Sequence, residues 1–203
     1  MNKLLLSTIL LGVLSLHGPL HAQANPAPAS DDPMAAFKTP SKNADTGKPS
    51  PFLEQFKGHL ITMDHGTVKE VDVATLKNVK YWAFYQSASW CGPCKAFTPS
   101  LVEFYTRFKR SHQNFELVFV SADKDDKAML AYMKDDRMPW LALKYSDRFL
   151  PGVALGKYFG GGIPDLVLTD ADGKVLADTF KGKDYLGPTQ AMEQFTKLVP
   201  RSE

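Results

Sequence analysis

The sequence predicts an α/β domain with a central mixed β-sheet flanked by helices. Two dense apolar runs, at residues 79–86 and 115–121, have the length and composition of buried strands. Each is followed by a segment whose apolar residues recur three and four positions apart, the period of an amphipathic helix. Two successive strand-helix units imply a right-handed crossover and a parallel strand pair, and a later hairpin adds antiparallel strands.

The first element of this domain is predicted to be an N-terminal β-hairpin extension. Its expected strands are residues 58–62 and 67–71, and the turn signal Asp64-His65-Gly66 lies between them. The central strand 79–86 follows. The helix after it begins near Cys91 and has one apolar face, formed by Phe97, Leu101, Phe104, Tyr105 and Phe108.

The second half of the domain continues the alternation. The strand 115–121 precedes a helix predicted over residues 125–134. Two short strands, 165–169 and 174–177, flank a turn and predict an antiparallel hairpin. A helix predicted over residues 185–198 closes the domain.

Composition divides the chain into four segments. Residues 1–24 are predicted to be a secretory signal peptide cleaved after Ala24, because Lys3 precedes an apolar run shorter than the roughly 20 residues that span a bilayer. An uncleaved membrane anchor is the alternative. Residues 25–51, rich in Pro, Ala and Ser, are predicted to be a disordered linker. The folded domain is expected over residues 52–199, with a C-terminal tail at 200–203.

The overall composition limits the classes of function. The 203 residues are 44% hydrophobic, which suits one domain with a full core, and the formal net charge is +2. Because lysines and arginines are spread along the chain, we expect no nucleic-acid partner. The protein is expected to be a monomer. The signal peptide predicts a periplasmic or secreted location.

Cys91 and Cys94 are the candidate reactive groups. A structural disulfide gains most by closing a long loop, and two intervening residues close almost none. A zinc site would need two more ligands, but the expected mature chain has no other cysteine and only His59, His65 and His112. The pair is therefore predicted to be redox-active, with no metal and no cofactor.

The position of Cys91 at the start of a helix predicts its role as a nucleophile. A free thiol has a pKa of about 8.5 and is mostly protonated at neutral pH. Unpaired N–H groups and the positive end of the helix dipole favour the thiolate, which attacks a disulfide. Cys94, one helical turn later, resolves the mixed disulfide. Gly92 permits close approach of a substrate backbone, and Pro93 suits a first turn where N–H groups lack partners.

The segment Ser87-Ala88-Ser89-Trp90-Cys91-Gly92-Pro93-Cys94-Lys95, followed by Phe97-Thr98-Pro99, resembles the thioredoxin superfamily, and most closely its nucleoredoxin and tryparedoxin branch. Supporting motifs lie at residues 119–123, 138–142 and 162–164, so the resemblance covers about residues 52–199.

This resemblance implies a thioredoxin fold and a role for each site residue. Cys91 would attack, Cys94 would resolve, and Trp90 would flank the site. Pro164 would be the family's cis-proline, whose loop lets Ile163 offer its backbone to the substrate. Together with Gly92 and Pro93, these residues are the expected substrate-binding set.

Two positions depart from the family pattern. Thioredoxins carry a buried Asp six residues before the first cysteine, where this chain has Tyr85. Exported reductases often carry a Glu three residues after the second cysteine, where this chain has Phe97. The proton acceptor for Cys94 is therefore open, with water and Glu103 as candidates.

The expected function is that of an exported thiol-disulfide oxidoreductase that reduces protein disulfides through its Cys-Gly-Pro-Cys site. An exported space is oxidising, so we expect a membrane thiol-electron carrier as the reductant and a disulfide-containing protein as the client. Gly-Pro between the cysteines resembles reducing members of the family. The alternatives are a disulfide oxidase or isomerase, and a redox-inactive binding module.

Overall fold

The computed structural model describes residues 50–202. The expected signal peptide, and the expected linker except for its last two residues, lie outside this range. Within it, no helix combines the length and the apolar character needed to cross a membrane.

In residues 50–202, seven strands form one mixed sheet: β1 (Leu60–Asp64), β2 (Thr67–Glu70), β3 (Tyr81–Ser87), β4 (Phe115–Ser121), β5 (Leu141–Leu143), β6 (Asp165–Asp170) and β7 (Val175–Asp178). Their spatial order is β2-β1-β5-β4-β3-β6-β7. Strands β3, β4 and β5 run parallel, whereas the pairs β1–β2, β1–β5, β3–β6 and β6–β7 are antiparallel. The predicted mixed sheet with an N-terminal hairpin extension is confirmed.

A core covers each face of the sheet. On one face lie three helices, α2 (Gly92–Phe108), α3 (Asp126–Asp135) and α4 (Pro188–Leu198). The opposite face is covered by the short helix α1 (Pro51–Glu54), a 3₁₀ turn at Val73–Leu76 and the segment around Val153 to Tyr158. Side chains alternate across the strands, so Tyr85 of β3 packs under α2 while its neighbour Phe84 packs on the other side.

The last helix begins later than expected. The prediction started it at Tyr185, but Tyr185 ends a two-stranded ribbon of β8 (Phe180–Lys181) and β9 (Asp184–Tyr185). Gly187 has a φ of 89° and cannot continue a right-handed helix, and Pro188 then occupies the first turn of α4. Apolar periodicity alone did not distinguish ribbon from helix here.

The ends of the fold also differ from the predicted boundaries. Ser50 caps α1, with its Oγ accepting the Leu53 N–H at 3.1 Å, and Pro51 is the first helical residue, a position that proline favours. Residues 50 and 51 thus belong to the fold rather than to the linker. At the other end, the Ser202 N–H donates to the Ser111 carbonyl at 2.9 Å, so the tail is held against the loop after α2.

Candidate active site

Cys91 and Cys94 lie where the central strand β3 passes into α2. β3 ends at Ser87, and Cys91 is the N-cap residue of the helix that begins at Gly92. The two sulfurs are joined in a disulfide, with the Cα atoms 5.2 Å apart. The Cys94 N–H points at the Cys91 sulfur at 3.2 Å. A sulfur at this helix terminus therefore receives an N–H donor that favours negative charge on it.

The two sulfurs differ in their access to solvent. Cys94 is fully buried, whereas Cys91 retains 5% of its surface. Beside them, Trp90 is 67% exposed, and its indole Nε1 donates to the Ala122 carbonyl at 3.1 Å, which fixes the ring at the edge of the site. Cys91 is therefore the sulfur that an incoming group can reach.

Residues 160–164, which we call the substrate loop, face the disulfide. The Ile163–Pro164 peptide bond is cis, and the Ile163 carbonyl oxygen lies 3.8 Å from the Cys91 sulfur. β6 follows this loop and pairs with β3, which brings the loop beside residues 72 positions earlier in the chain. The structure thus brings Ile163 and Pro164 to the cysteine motif. Gly92 faces open space, since a Cβ there would meet nothing within 4 Å.

Two open clefts border the substrate loop. One, of about 350 Å³, is lined by residues that include Pro93, Pro164 and Tyr185. The other, of about 560 Å³, is lined by Ile163, Lys183 and again Tyr185. Tyr185 is 51% exposed and donates its hydroxyl to the Pro164 carbonyl at 3.2 Å. The sequence did not indicate Tyr185 as a site residue, because the predicted last helix included it.

Asp123 is a second residue whose role the sequence did not indicate. It is buried, and its Oδ1 accepts from the Ser89 N–H at 2.8 Å and the Ser89 hydroxyl at 2.6 Å. Its Oδ2 accepts from the Ser121 hydroxyl at 2.9 Å. Asp123 therefore anchors the segment that carries Trp90 and Cys91 to the end of β4.

A cluster of four hydroxyls lies behind Cys94, and we call it the hydroxyl cluster; it comprises Ser87, Tyr85, Thr98 and Tyr132. Thr98 Oγ1 lies 2.9 Å from the Tyr85 hydroxyl and 2.7 Å from the Tyr132 hydroxyl, which is 3.0 Å from Ser87 Oγ. Thr98 Oγ1 is also 2.9 Å from the Cys94 carbonyl oxygen. Burial raises the pKa of both tyrosines, so the cluster is uncharged at neutral pH.

Glu103 is not placed to take a proton from Cys94. It is exposed and pairs with Arg107 at 2.9 Å on the outer face of α2. It lies nine positions after Cys94 in the helix, which is about 13 Å along the axis. Of the two candidate acceptors, this geometry excludes Glu103 and leaves water.

Comparisons with known proteins agree with this architecture. A model of a thioredoxin-like family matches residues 78–175. The nucleoredoxin of Danio rerio is 38% identical over 129 residues, which are 63% of this chain and 29% of that protein. The chain therefore spans less than a third of the length of such curated relatives.

Two solved structures resemble the chain over almost their whole length. Tryparedoxin I from Leishmania major is 30% identical with a TM-score of 0.54, covering 74% of this chain and 96% of that one. Tryparedoxin from Trypanosoma brucei is 31% identical with a TM-score of 0.53, covering 72% and 91%.

Proposed function

The chain belongs to the thioredoxin-like family, in its nucleoredoxin and tryparedoxin branch, and from that premise we propose that it reduces disulfide bonds of client proteins. Membership confirms the resemblance found in the sequence and supports a thiol-disulfide oxidoreductase, and Cys91 and Cys94 are its proposed redox pair. The observation that carries the finer proposal is the position of the Cys91 sulfur, 3.8 Å from the Ile163 carbonyl of a loop that two open clefts border. Open clefts suit a polypeptide strand better than an enclosed small molecule.

The proposed reaction starts from the reduced pair. The Cys91 thiolate, which keeps the Cys94 N–H as a donor, attacks one sulfur of the client disulfide. The client S–S bond breaks, its second sulfur leaves and takes a proton from water, and a mixed disulfide joins Cys91 to the client. Cys94 then loses its proton and attacks the Cys91 sulfur. This closes the Cys91–Cys94 disulfide and releases the client with both sulfurs reduced, so two electrons pass to the client.

Insulin reduction with two matched variants tests this proposal. Cys91→Ser is expected to abolish turnover, whereas Cys94→Ser is expected to attack once and accumulate a mixed disulfide. The chain has only these two cysteines, so any adduct on Cys94→Ser must be at Cys91. Turnover by Cys91→Ser would refute the assigned roles. An inactive unmodified protein would favour the redox-inactive binding module.

The direction of electron flow is tested by the reduction potential. The Gly92-Pro93 pair between the cysteines supports a reductase, and we expect a value near the thioredoxin potential of about −270 mV. Equilibration with dithiothreitol buffers, followed by thiol counting, measures it. A value above about −150 mV would instead support the oxidase alternative.

We also propose that the protein is exported, acts as a monomer and is recharged by a membrane thiol-electron carrier. The support is the charged start, apolar run and small-residue cleavage site in residues 1–24, followed by the Pro-rich segment 25–51. Mass spectrometry of the protein from a fractionated bacterial host is expected to find it in the periplasm, beginning at Asn25. An intact N-terminus in the cytoplasmic fraction would contradict export.

A further inference from the structure

Asp165 is a buried carboxyl directly after Pro164, and the exchange reaction does not use it. The residue is 0% exposed. Its Oδ2 accepts a hydrogen bond from the Gly160 N–H at 2.8 Å. Its Oδ1 is also buried, and no donor in residues 50–202 meets hydrogen-bonding geometry with it. A carboxylate held this way is unfavourable for the fold, so its presence at the site needs a functional reason.

The hydrogen bond to Gly160 closes the base of the substrate loop. Gly160 and Asp165 stand on either side of the Ile163–Pro164 bond. Gly160 itself packs closely on Phe180, because a Cβ on it would lie 2.5 Å from that ring. The hydrogen bond between Gly160 and Asp165 joins the first residue of the substrate loop to the residue directly after its last one. It therefore helps to fix the position of the Ile163 carbonyl relative to Cys91.

Asp165 cannot act as the proton acceptor for Cys94, because it points to the other face of the sheet. In the β3–β6 register, Leu166 is paired with Tyr85 and Asp165 with Gln86. Leu166 and Tyr85 belong to the core beneath α2, and consecutive residues of a strand point to opposite faces. The Asp165 side chain therefore projects away from α2, and any effect on the reaction passes through the substrate loop.

We propose that Asp165 is a positioning residue: its ionised carboxylate holds the substrate loop in the client-binding form, and protonation loosens that hold. The consequence is a client affinity that falls in mild acid while the chemistry at Cys91 is otherwise retained. This inference deepens the proposed function and rests on it.

The electrostatics of the site place this change in an accessible pH range. Burial raises the pKa of Asp165 to about 6, against the lowering effect of the Gly160 N–H. The Asp178 carboxylate on β7 raises it further, while Thr179 and the Leu166 N–H oppose the rise. The phenol of Tyr185 on β9 also interacts with this carboxyl. A charge-assisted hydrogen bond is roughly twice as strong as a neutral one. The hydrogen bond from the Gly160 N–H therefore weakens when the Asp165 carboxylate is protonated.

The test compares two disulfide reagents across pH. Second-order rate constants of the reduced protein are measured with insulin and with 4,4′-dithiodipyridine, which is too small to span the substrate loop. Both rate constants are proportional to the fraction of Cys91 that is thiolate, so the ratio of the insulin rate constant to the 4,4′-dithiodipyridine rate constant does not depend on that fraction. Between about pH 8 and pH 5 the ratio is expected to fall about fivefold, with a midpoint near 6, since an ionic acceptor becomes a neutral one.

Two variants make the result specific to Asp165. Asp165→Asn keeps an oxygen for Gly160 but cannot ionise, so its ratio is expected to be independent of pH and close to the acid value of the unmodified protein. Asp178→Asn is the matched control. It keeps the acceptor for the Phe180 N–H, which lies at 2.8 Å, but removes a neighbouring charge, so the midpoint is expected to move to lower pH.

The Gly160 amide resonance gives a readout independent of activity. It is expected to titrate with the same midpoint in the unmodified protein and to stay constant in Asp165→Asn. A flat ratio in the unmodified protein, an unchanged pH profile in Asp165→Asn, or an unmoved midpoint in Asp178→Asn would overturn the inference alone. Failure to reduce insulin at any pH would overturn the proposed function and the inference with it. If Asp165→Asn does not fold, the midpoint of the pH profile in Asp178→Asn still tests the inference, because it is expected to move to lower pH.

Discussion

Asp123 shows how a single residue outside the cysteine motif shapes the site. Its carboxylate accepts three hydrogen bonds, two from Ser89 and one from the Ser121 hydroxyl, in a buried position. Because these bonds connect the loop before Cys91 to the end of β4, the exposed Trp90 ring has a defined position despite lying in a connection rather than in a helix or strand.

Asp123→Ala is predicted to lower the free energy of unfolding by about 2 to 3 kcal/mol, because it removes a charged acceptor and leaves the Ser89 N–H without its partner. Urea denaturation of the oxidised protein measures this. The exposed Asp126→Ala, three positions along, is the control and is expected to change stability by about 0.5 kcal/mol or less. Equal effects in the two variants would show that the Asp123 network is not important for stability.

Hydroxyls take the place of a buried acid behind Cys94. Where thioredoxins carry Asp, this chain places Tyr85, whose hydroxyl joins Thr98 and Tyr132. These hydroxyls are uncharged at neutral pH, and burial raises the pKa of each tyrosine further above its ordinary value of 10.0. The hydroxyl cluster therefore adds no charge behind Cys94 at neutral pH.

At the scale of elements, the short helix α1 decides where the domain begins. Its four residues are too few to be stable alone, so its position depends on the Ser50 cap and on burial of Leu53. The Ser50 hydroxyl also contacts the Ala171 carbonyl at 3.3 Å, which ties the helix to the turn between β6 and β7.

Ser50→Ala is predicted to destabilise the domain by about 1 kcal/mol, the usual cost of losing an N-cap. Ser50→Asp keeps an acceptor for the Leu53 N–H and is expected to retain most of the stability, which distinguishes a cap from a general effect of mutation. Thermal unfolding of the full chain provides the measurement. No change in Ser50→Ala would mean that the fold begins after Ser50, as composition had indicated.

The β8–β9 ribbon is the element that completes the clefts. It places Tyr185 against the Pro164 carbonyl and lines both clefts with the same ring.

Tyr185→Phe is predicted to raise the KM for insulin about two- to fivefold while leaving the rate with 4,4′-dithiodipyridine unchanged, because only the hydrogen bond to the substrate loop is lost. The partly buried Tyr81 lies in β3 and lines neither cleft, so Tyr81→Phe is the control. Equal slowing with both reagents would place the effect at Cys91 instead.

At the scale of the whole molecule, Asp165 links stability to pH. Its folded-state pKa of about 6 lies above the ordinary value of 3.8, so the folded state binds the proton more tightly than the unfolded state. This group's contribution to stability is therefore fully present below about pH 4 and is lost as the pH rises to about 6. At neutral pH the ionised Asp165 that positions the substrate loop therefore makes the folded protein less stable than it would be with a neutral side chain.

Asp165→Asn is accordingly predicted to be more stable than the unmodified protein at neutral pH, by up to about 3 kcal/mol, since one unit of pKa corresponds to 1.4 kcal/mol. The difference is expected to vanish below about pH 4, where both side chains are neutral. Denaturant titrations at several pH values measure it. A stability difference of constant size across this range would contradict the assigned ionisation.

Local pattern was enough to predict the redox pair and most of the sheet. Periodicity identified β3, β4 and the helix between them. Because Cys91 lies between a strand and an amphipathic helix, its position at a helix N-terminus does not depend on the rest of the fold. Two cysteines at this spacing, with no other cysteine in the chain, carry chemical information without any knowledge of the fold. These features depend on neighbours in sequence, which is why the sequence alone suffices for them.

The surroundings of the pair depend on contacts between distant parts of the chain. Ile163 lies beside Cys91 from 72 positions away, and Asp123 reaches Ser89 across 34. Tyr185 followed a helical pattern, yet pairing with Phe180 made it part of a ribbon. Asp165 looked like an ordinary strand residue, and only the sheet register shows that it is buried beneath the substrate loop on the face opposite Cys94. Register, facing and burial arise from long-range packing, so the tertiary structure alone decided them.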